Sequence, residues 1–357
     1  MNTYLKFLSI NYIKSIIYVF AVMFCLVIIL NILSEIEFFK NNNVNSLIPI
    51  YLAFLNSFDL IFEMFPFIFL IGTQVFFVNL FTDNQINIFK YSGLKNSKIL
   101  MILVLITFFL GLIIITFFYS FSSNFKSLYL EYKNKYTNDN KYLAVITNNG
   151  LWIKDIVDQS TMIINASEIN QNILKNVNIS EFDKNFDLIR IITSENVNIN
   201  SNDWILYDAN IVENNNTNIV DKLMIYSNFN FEQINNLFSN LSSLSILELL
   251  DLRENYKRIN YSTTEIDIQL QKLLSYPIYF ALMSLLSAII MFNVKQFKST
   301  SLKIIIGLMA CVAIYYLNNL SQVLGNTEKI PLILSVWMTL IILAIFNTIL
   351  FININEK

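Results

Sequence analysis

Histidine is absent from this 357-residue chain, which removes the commonest general base and the commonest metal ligand. Cysteine is scarce. Cys25 and Cys311 both lie in long apolar runs, so they read as small membrane-buried hydrophobes and not as a disulfide framework. Charge is scarce as well: charged residues make up 14% of the chain and the formal net charge is −2, which gives no bulk electrostatic argument for nucleic acid. No G-x-x-x-x-G-K-[ST] occurs, so the chain has no Walker-type nucleotide site of its own. There is no His-based triad, no C-x-x-C and no zinc-type spacing. These absences leave no catalytic residues to propose, no metal and no cofactor.

Apolar sequence is abundant. Hydrophobic residues make up 55% of the chain, and the mean hydropathy of +0.52 places it among membrane proteins. Runs near bilayer-spanning length occur at about 15–34, 64–81, 99–119, 273–294, 302–320 and 331–352. The first has no small-x-small cleavage site after it and is kept as a helix. Residues 47–63 are apolar, but Asp59 and Glu63 would be costly at mid-bilayer. They read as an interfacial lead-in to the second span, with Pro66 in that span's first turn. Spaced i,i+4, the two carboxylates mark a water–lipid boundary or an ion or lipid-amine contact, and the boundary is the simpler account.

Lysines set the expected orientation. Lys6 and Lys14 precede or open the first span, Lys90, Lys95 and Lys98 fill the 82–98 loop, and Lys295, Lys298 and Lys303 fill the 295–303 loop. With six spans these segments share a side, which the positive-inside rule makes cytoplasmic, together with both termini. The expected fold is therefore a membrane α-helical bundle of six transmembrane helices with a large insertion. Its parts are 1–119 (spans one to three), 120–270 (an external β domain ending in a helix) and 271–357 (spans four to six). Within the insertion, "LAVITNNGLWIKD", "DLIRIITSENVNI" and "DWILYDANIV" are short, β-branched and separated by turn residues, which predicts antiparallel β structure as a sandwich or barrel. "SLSILELLDLRENYKR" predicts a helix over about 243–258.

Between spans two and three, "NQINIFKYSGLKNS" is a polar break with helical marks. Asp83 is placed to N-cap it, and Gly93 sits where a left-handed C-cap is expected. Ile86 and Phe89, with Ile88 beside them, form an apolar ridge on two to three turns. Such a helix either lies on lipid headgroups or presses its ridge into a soluble partner.

The segment 84–93 resembles the cytoplasmic motif of the lipopolysaccharide export permease family LptF/LptG (YjgP/YjgQ), with Ser92 and Gly93 matching its end and Ile86 and Phe89 its ridge. "FPFIFLIG" at 65–72 is similar to the start of that family's second span, and "GLWIKD" at 150–155 resembles the opening of the LptG-type periplasmic domain. "DWILYDANI", "LSILELLDLRENYKR" and "LLSYPIYFALMSLLSAIIMF" are similar to later segments in the same order. The resemblance covers nearly the full chain and favours LptG.

It implies an inner-membrane ABC transporter permease subunit with a periplasmic jellyroll-like domain and no enzyme activity of its own, ATP being bound by a partner. The implied partners are an LptB-like ATPase dimer, an LptF/LptG paralogue, LptC-like and LptA-like bridge proteins, and lipopolysaccharide. Gln85, Ile86, Phe89, Ser92 and Gly93 would couple to the ATPase. Spans one and five would form lateral gates, and Lys40 would meet the lipid headgroup. Leu151 and Trp152 are expected on the lipid path or in the domain core, and the core is favoured for Trp152. The chain departs from the family in two places. Gln85 stands where a Glu is usual, and Lys40 is the only basic residue at the end of the first span, beside Glu35 and Glu37. The rival function is a non-transporting membrane scaffold or sensor with a periplasmic ligand-binding β domain.

Overall fold

Long apolar runs without glycine or proline have no reason to stop being helical, and the first run goes well beyond its hydrophobic core. In the computed structural model, α1 covers Thr3–Phe39, 37 residues. At 1.5 Å per residue that is about 55 Å, longer than a hydrocarbon layer of about 30 Å. The structure describes residues 3–40, 45, 47–134, 136, 144–147, 150–157, 160–170, 172–184, 186–213, 216–231, 234, 240–258, 262–292 and 300–355. After α1 come α2 (Leu47–Glu63), α3 (Phe65–Thr82), α4 (Gln85–Tyr91) and α5 (Asn96–Ile113). A π-helical segment, Ile114–Tyr119, joins α5 to α6 (Ser120–Asn134). Further along the described residues come α7 (Ile246–Arg258), α8 (Thr264–Phe292), α9 (Thr300–Asn326) and α10 (Leu332–Asn355). Among the described residues, six helices or helical runs are long and apolar enough to cross a membrane: Thr3–Phe39, Phe65–Thr82, Asn96–Lys133, Thr264–Phe292, Ser301–Asn326 and Leu332–Ile352. The helix α2 precedes the second of these, and Pro66 occupies the first turn of α3 as the sequence implies.

The chain forms two compact units, 1–129 with 267–357, and 130–266. The first is the helical bundle. Its helices meet at small residues. A Cβ on Gly111 of α5 would lie 2.9 Å from Pro277 Cα in α8, so this contact exists only because the side chain is missing. A buried polar node binds four helices together. Tyr12 Oη of α1 lies 3.1 Å from Thr73 Oγ1 of α3, 2.8 Å from Thr107 Oγ1 of α5 and 2.9 Å from Ser284 Oγ of α8. Each hydroxyl is satisfied by another, which is what allows polar groups to sit at this depth.

The second unit is, among the described residues, a seven-stranded antiparallel sheet in consecutive order. The strands are β1 (Ala144–Thr147), β2 (Gly150–Val157), β3 (Ser160–Asn170), β4 (Ile173–Phe182), β5 (Leu188–Asn198), β6 (Asp203–Glu213) and β7 (Asn216–Tyr226). Each described strand pairs with its sequence neighbour, so the crossover of a Greek-key jelly roll is not among them. One row of isoleucines runs across the sheet in register, Ile153–Ile164–Ile179–Ile192–Ile211, and the first four are fully buried. Asp155 is also fully buried. Its carboxylate accepts hydrogen bonds from Ser227 Oγ (2.7 Å), Asn228 N (2.9 Å) and Asn228 Nδ2 (2.9 Å), which offset the cost of burying the charge. The helix α7 starts on a capping box. Ser245 N donates to Glu248 Oε2 at 2.7 Å, and Glu248 N donates back to Ser245 Oγ at 3.4 Å.

Candidate functional site

The break between α3 and α4 turns on Asn84, whose φ of 55° is left-handed. Asn tolerates that conformation, so the turn closes there and α4 begins at Gln85. This corrects the expected cap. Asp83 ends α3, and its carboxylate accepts a hydrogen bond from Gln85 Nε2 at 3.1 Å. At the other end, Gly93 takes φ 78°. Leu94 N donates to Phe89 O at 3.0 Å, the long bond of a Schellman motif. Ser92 adds its own N–H and Oγ to Ile88 O, at 3.0 and 2.9 Å.

The helix therefore has fixed ends, and its faces are distinct. Ile86 is 4% exposed, and Phe89 is half-buried with its ring centroid 6.0 Å from that of Phe7 in α1. Two residues further on, a rotation of about 200° turns the side chain to the other side. Ile88 is accordingly 61% exposed and Tyr91 91% exposed. Of the ridge read from the sequence, Ile86 and Phe89 anchor α4 to the bundle, and Ile88 and Tyr91 are the apolar groups left outside. Asp83 and Gln85 also line a cavity of about 720 Å³ shared with Asn11 and Lys14 of α1.

The described parts of the three lysine-bearing segments lie at one end of the bundle. Lys98 Nζ stands 5.6 Å from the ring centroid of Tyr4, near the start of α1, and Lys303 Nζ stands 5.7 Å from that of Phe81, near the end of α3. Lys303 is not a loop residue. It lies in α9, buried, with Nζ donating to Met291 O at 3.3 Å, while Lys295 and Lys298 fall outside the described residues. Gln74 Nε2 of α3 donates to Lys303 O at 3.1 Å, fastening the first turn of α9 to α3.

The opposite end carries acid–base and acid–phenol contacts. Asp59 pairs with Lys126 of α6 at 3.0 Å, Glu63 with Lys272 of α8 at 3.1 Å, and Tyr129 Oη donates to buried Glu35 at 2.8 Å. The two i,i+4 carboxylates are thus ion-pair partners between helices. Nothing local in the sequence marks Lys126 and Lys272, although two carboxylates on one helix face beside a span are themselves a signal that cations stand opposite. Lys40 is exposed, one residue beyond α1, with its backbone N–H donating to Glu37 O at 3.3 Å.

In the β unit, Leu151 is buried and Trp152 is 41% exposed on the other face. The core position expected for Trp152 is corrected. Strand β2 buries Leu151, Ile153 and Asp155, and side chains alternate, so Trp152 and Lys154 point outward. The buried indole is Trp204, whose Nε1 donates to Phe229 O.

Six apolar helices, an anchored amphipathic helix in the lysine-rich connection and a β insertion define a polytopic membrane protein. The sequence model of the lipopolysaccharide export system permease LptF/LptG matches residues 8–353, nearly the whole chain, and the protein belongs to that family. No curated protein shows significant similarity to it. Family membership makes the chain a multi-pass permease component of lipopolysaccharide export.

Proposed function

We propose that the chain is one of two paired transmembrane subunits of an ATP-driven exporter in the inner membrane, of the LptG type, and that α4 docks on an LptB-like ATPase. The carrying observation is the split of α4 into an anchored face, Ile86 and Phe89, and an outward face, Ile88 and Tyr91. A short helix held this firmly transmits a push to α1 and α3 instead of unwinding. Gln85, held by Asp83, offers the ATPase a neutral hydrogen bond where the family usually has a carboxylate. Ser92 and Gly93 fix the helix end.

In this scheme lipopolysaccharide enters sideways from the outer leaflet, past gates formed by α1 and α9 and with its headgroup near Lys40. It leaves along the β unit toward LptC-like and LptA-like bridge proteins. The chemistry supports an enclosed route: each acyl CH₂ exposed to water costs about 0.8 kcal/mol. A β unit that already packs a row of isoleucines out of water has the apolar interior such a route would need. The "GLWIKD" segment, Gly150–Asp155, is what favours LptG over its paralogue.

The test is Tyr91→Asp combined with Ile88→Asp. The double variant is expected to insert and fold like the parent but to lose co-purification of the ATPase and lipopolysaccharide export. Export at the parental rate would defeat the docking role of α4. A reproducible homo-oligomer of the parent chain without any ATPase would favour a scaffold instead.

A further inference from the structure

At the α4 end of the bundle, α5, α8 and α10 line an open cavity of about 670 Å³, of which the transport scheme uses only Gly93 at its edge, as the stop of α4. Its rim is basic and its depth apolar. Lys95 and Lys98 stand at the mouth, both accessible, while Met101, Val104, Leu285 and Phe351 form the walls. Lys95 is also the residue before α5, and no side chain among the described residues caps that helix start, so the positive end of an 18-residue helix faces the same rim. Asn347 of α10 adds a feature independent of charge. It lines the cavity at 1% exposure, with Nδ2 donating to Leu282 O at 3.0 Å, and its Oδ1 is buried with no hydrogen-bond partner among the described residues. A buried carbonyl oxygen without a donor is costly, and in a ligand site it is where a donor arrives.

We propose that this cavity binds an anionic phospholipid of the adjoining leaflet that carries a hydrogen-bond donor below its phosphate. The phosphate lies between Lys95 and Lys98 at the start of α5. The acyl chain runs along Met101, Val104 and Phe351, and the donor, a hydroxyl or amide N–H in the linkage region, reaches Asn347 Oδ1. Depth selects a lipid over a protein occupant. Asn347 lies eight residues before the end of α10, and Val104 lies eight residues into α5. Each is about 12 Å inside the bundle, where a soluble domain docked on α4 does not reach. Met101 is 66% exposed, as a wall facing acyl chains would be. The same depth excludes the outermost headgroup hydroxyls as the donor and points to the glycerol or acyl linkage.

The test uses the purified exporter complex in nanodiscs of phosphatidylcholine. These are doped in turn with lysophosphatidylglycerol (a free glycerol hydroxyl below the phosphate), diacyl phosphatidylglycerol or lysophosphatidylcholine, and retained lipid is read by native mass spectrometry. Lysophosphatidylglycerol is expected to be retained best and lysophosphatidylcholine least. Lys95→Gln with Lys98→Gln should weaken retention of both anionic probes by roughly tenfold for each lysine replaced. Asn347→Leu should remove only the advantage of the lyso form. Met101→Trp, which fills the cavity from its exposed wall and leaves the buried Asn in place, should displace all three probes and keeps the test decisive if Asn347→Leu fails to fold. Equal retention of the zwitterionic and anionic lyso lipids, indifference to every substitution, or binding only after the ATPase is stripped away would each overturn the proposal.

Discussion

Two tryptophans of the β unit sit in strands of similar composition and have opposite environments. Trp204 is fully buried and its indole N–H is spent on Phe229 O, whereas Trp152 is 41% exposed. Trp204→Ala should therefore cost about 3–5 kcal/mol. Trp152→Ala should cost under about 1 kcal/mol. Limited proteolysis of the folded protein across a temperature series separates them: the Trp204 variant should be cut within 130–266 well below the parent's transition, and the Trp152 variant at nearly the parent's temperature. Equal sensitivity would contradict the assigned faces. The strand itself was legible in "GLWIKD", but its phase was not. Alternation shows that Leu151 and Trp152 face opposite ways, and only pairing with β3 shows which way is in. The buried Asp155 was hidden for the same reason, because its three donor groups come from Ser227 and Asn228, seventy or so positions away along the chain.

Among the elements, the helices that the sequence announced best are those with chemical punctuation. Pro66 opens α3 and Gly93 closes α4 because proline and glycine restrict or free the backbone locally, whatever surrounds them. The length of α1 was hidden, since Lys6 and Lys14 interrupt the hydropathy without interrupting the helix. The ridge on α4 was legible as periodicity. Its direction was not, because Phe7 decides which face is covered. Glycine shows the two kinds of constraint apart. At Gly93 a Cβ would meet nothing within 4 Å, so Gly93→Ala is expected to cost only the left-handed backbone penalty, about 1 kcal/mol. At Gly111 a Cβ would press on Pro277 and Phe280, so Gly111→Leu is expected to cost about 1–3 kcal/mol or more through overpacking of α5 on α8. Thermal denaturation in one detergent should rank the two variants in that order, and the reverse order would mean that α5 and α8 do not touch at Gly111.

For the whole molecule the decisive quantity is which end of the bundle faces the cytoplasm. The pairs Phe7–Phe89, Tyr4–Lys98 and Phe81–Lys303 gather the start of α1, the whole of α4 and the start of α9 at one end. That end holds Lys95 in a short connection and Lys98 in the first turn of α5, and such lysines resist translocation. The pairs Asp59–Lys126 and Glu63–Lys272 lie at the other end, at the middle of α6 and in the third turn of α8, the two helices between which the chain of the 130–266 unit is inserted. On this basis α4 is expected inside and the β unit outside. In a Cys25→Ser, Cys311→Ser background, Tyr91→Cys and Asn216→Cys place one thiol on the exposed face of α4 and one at the exposed start of β7. A membrane-impermeant maleimide added to sealed spheroplasts should label the position-216 variant at once and the position-91 variant only after lysis. The inverse pattern would put α4 where no cytoplasmic ATPase reaches it. The docking role of Ile88 and Tyr91 would then fall even though every contact within the bundle stayed as described.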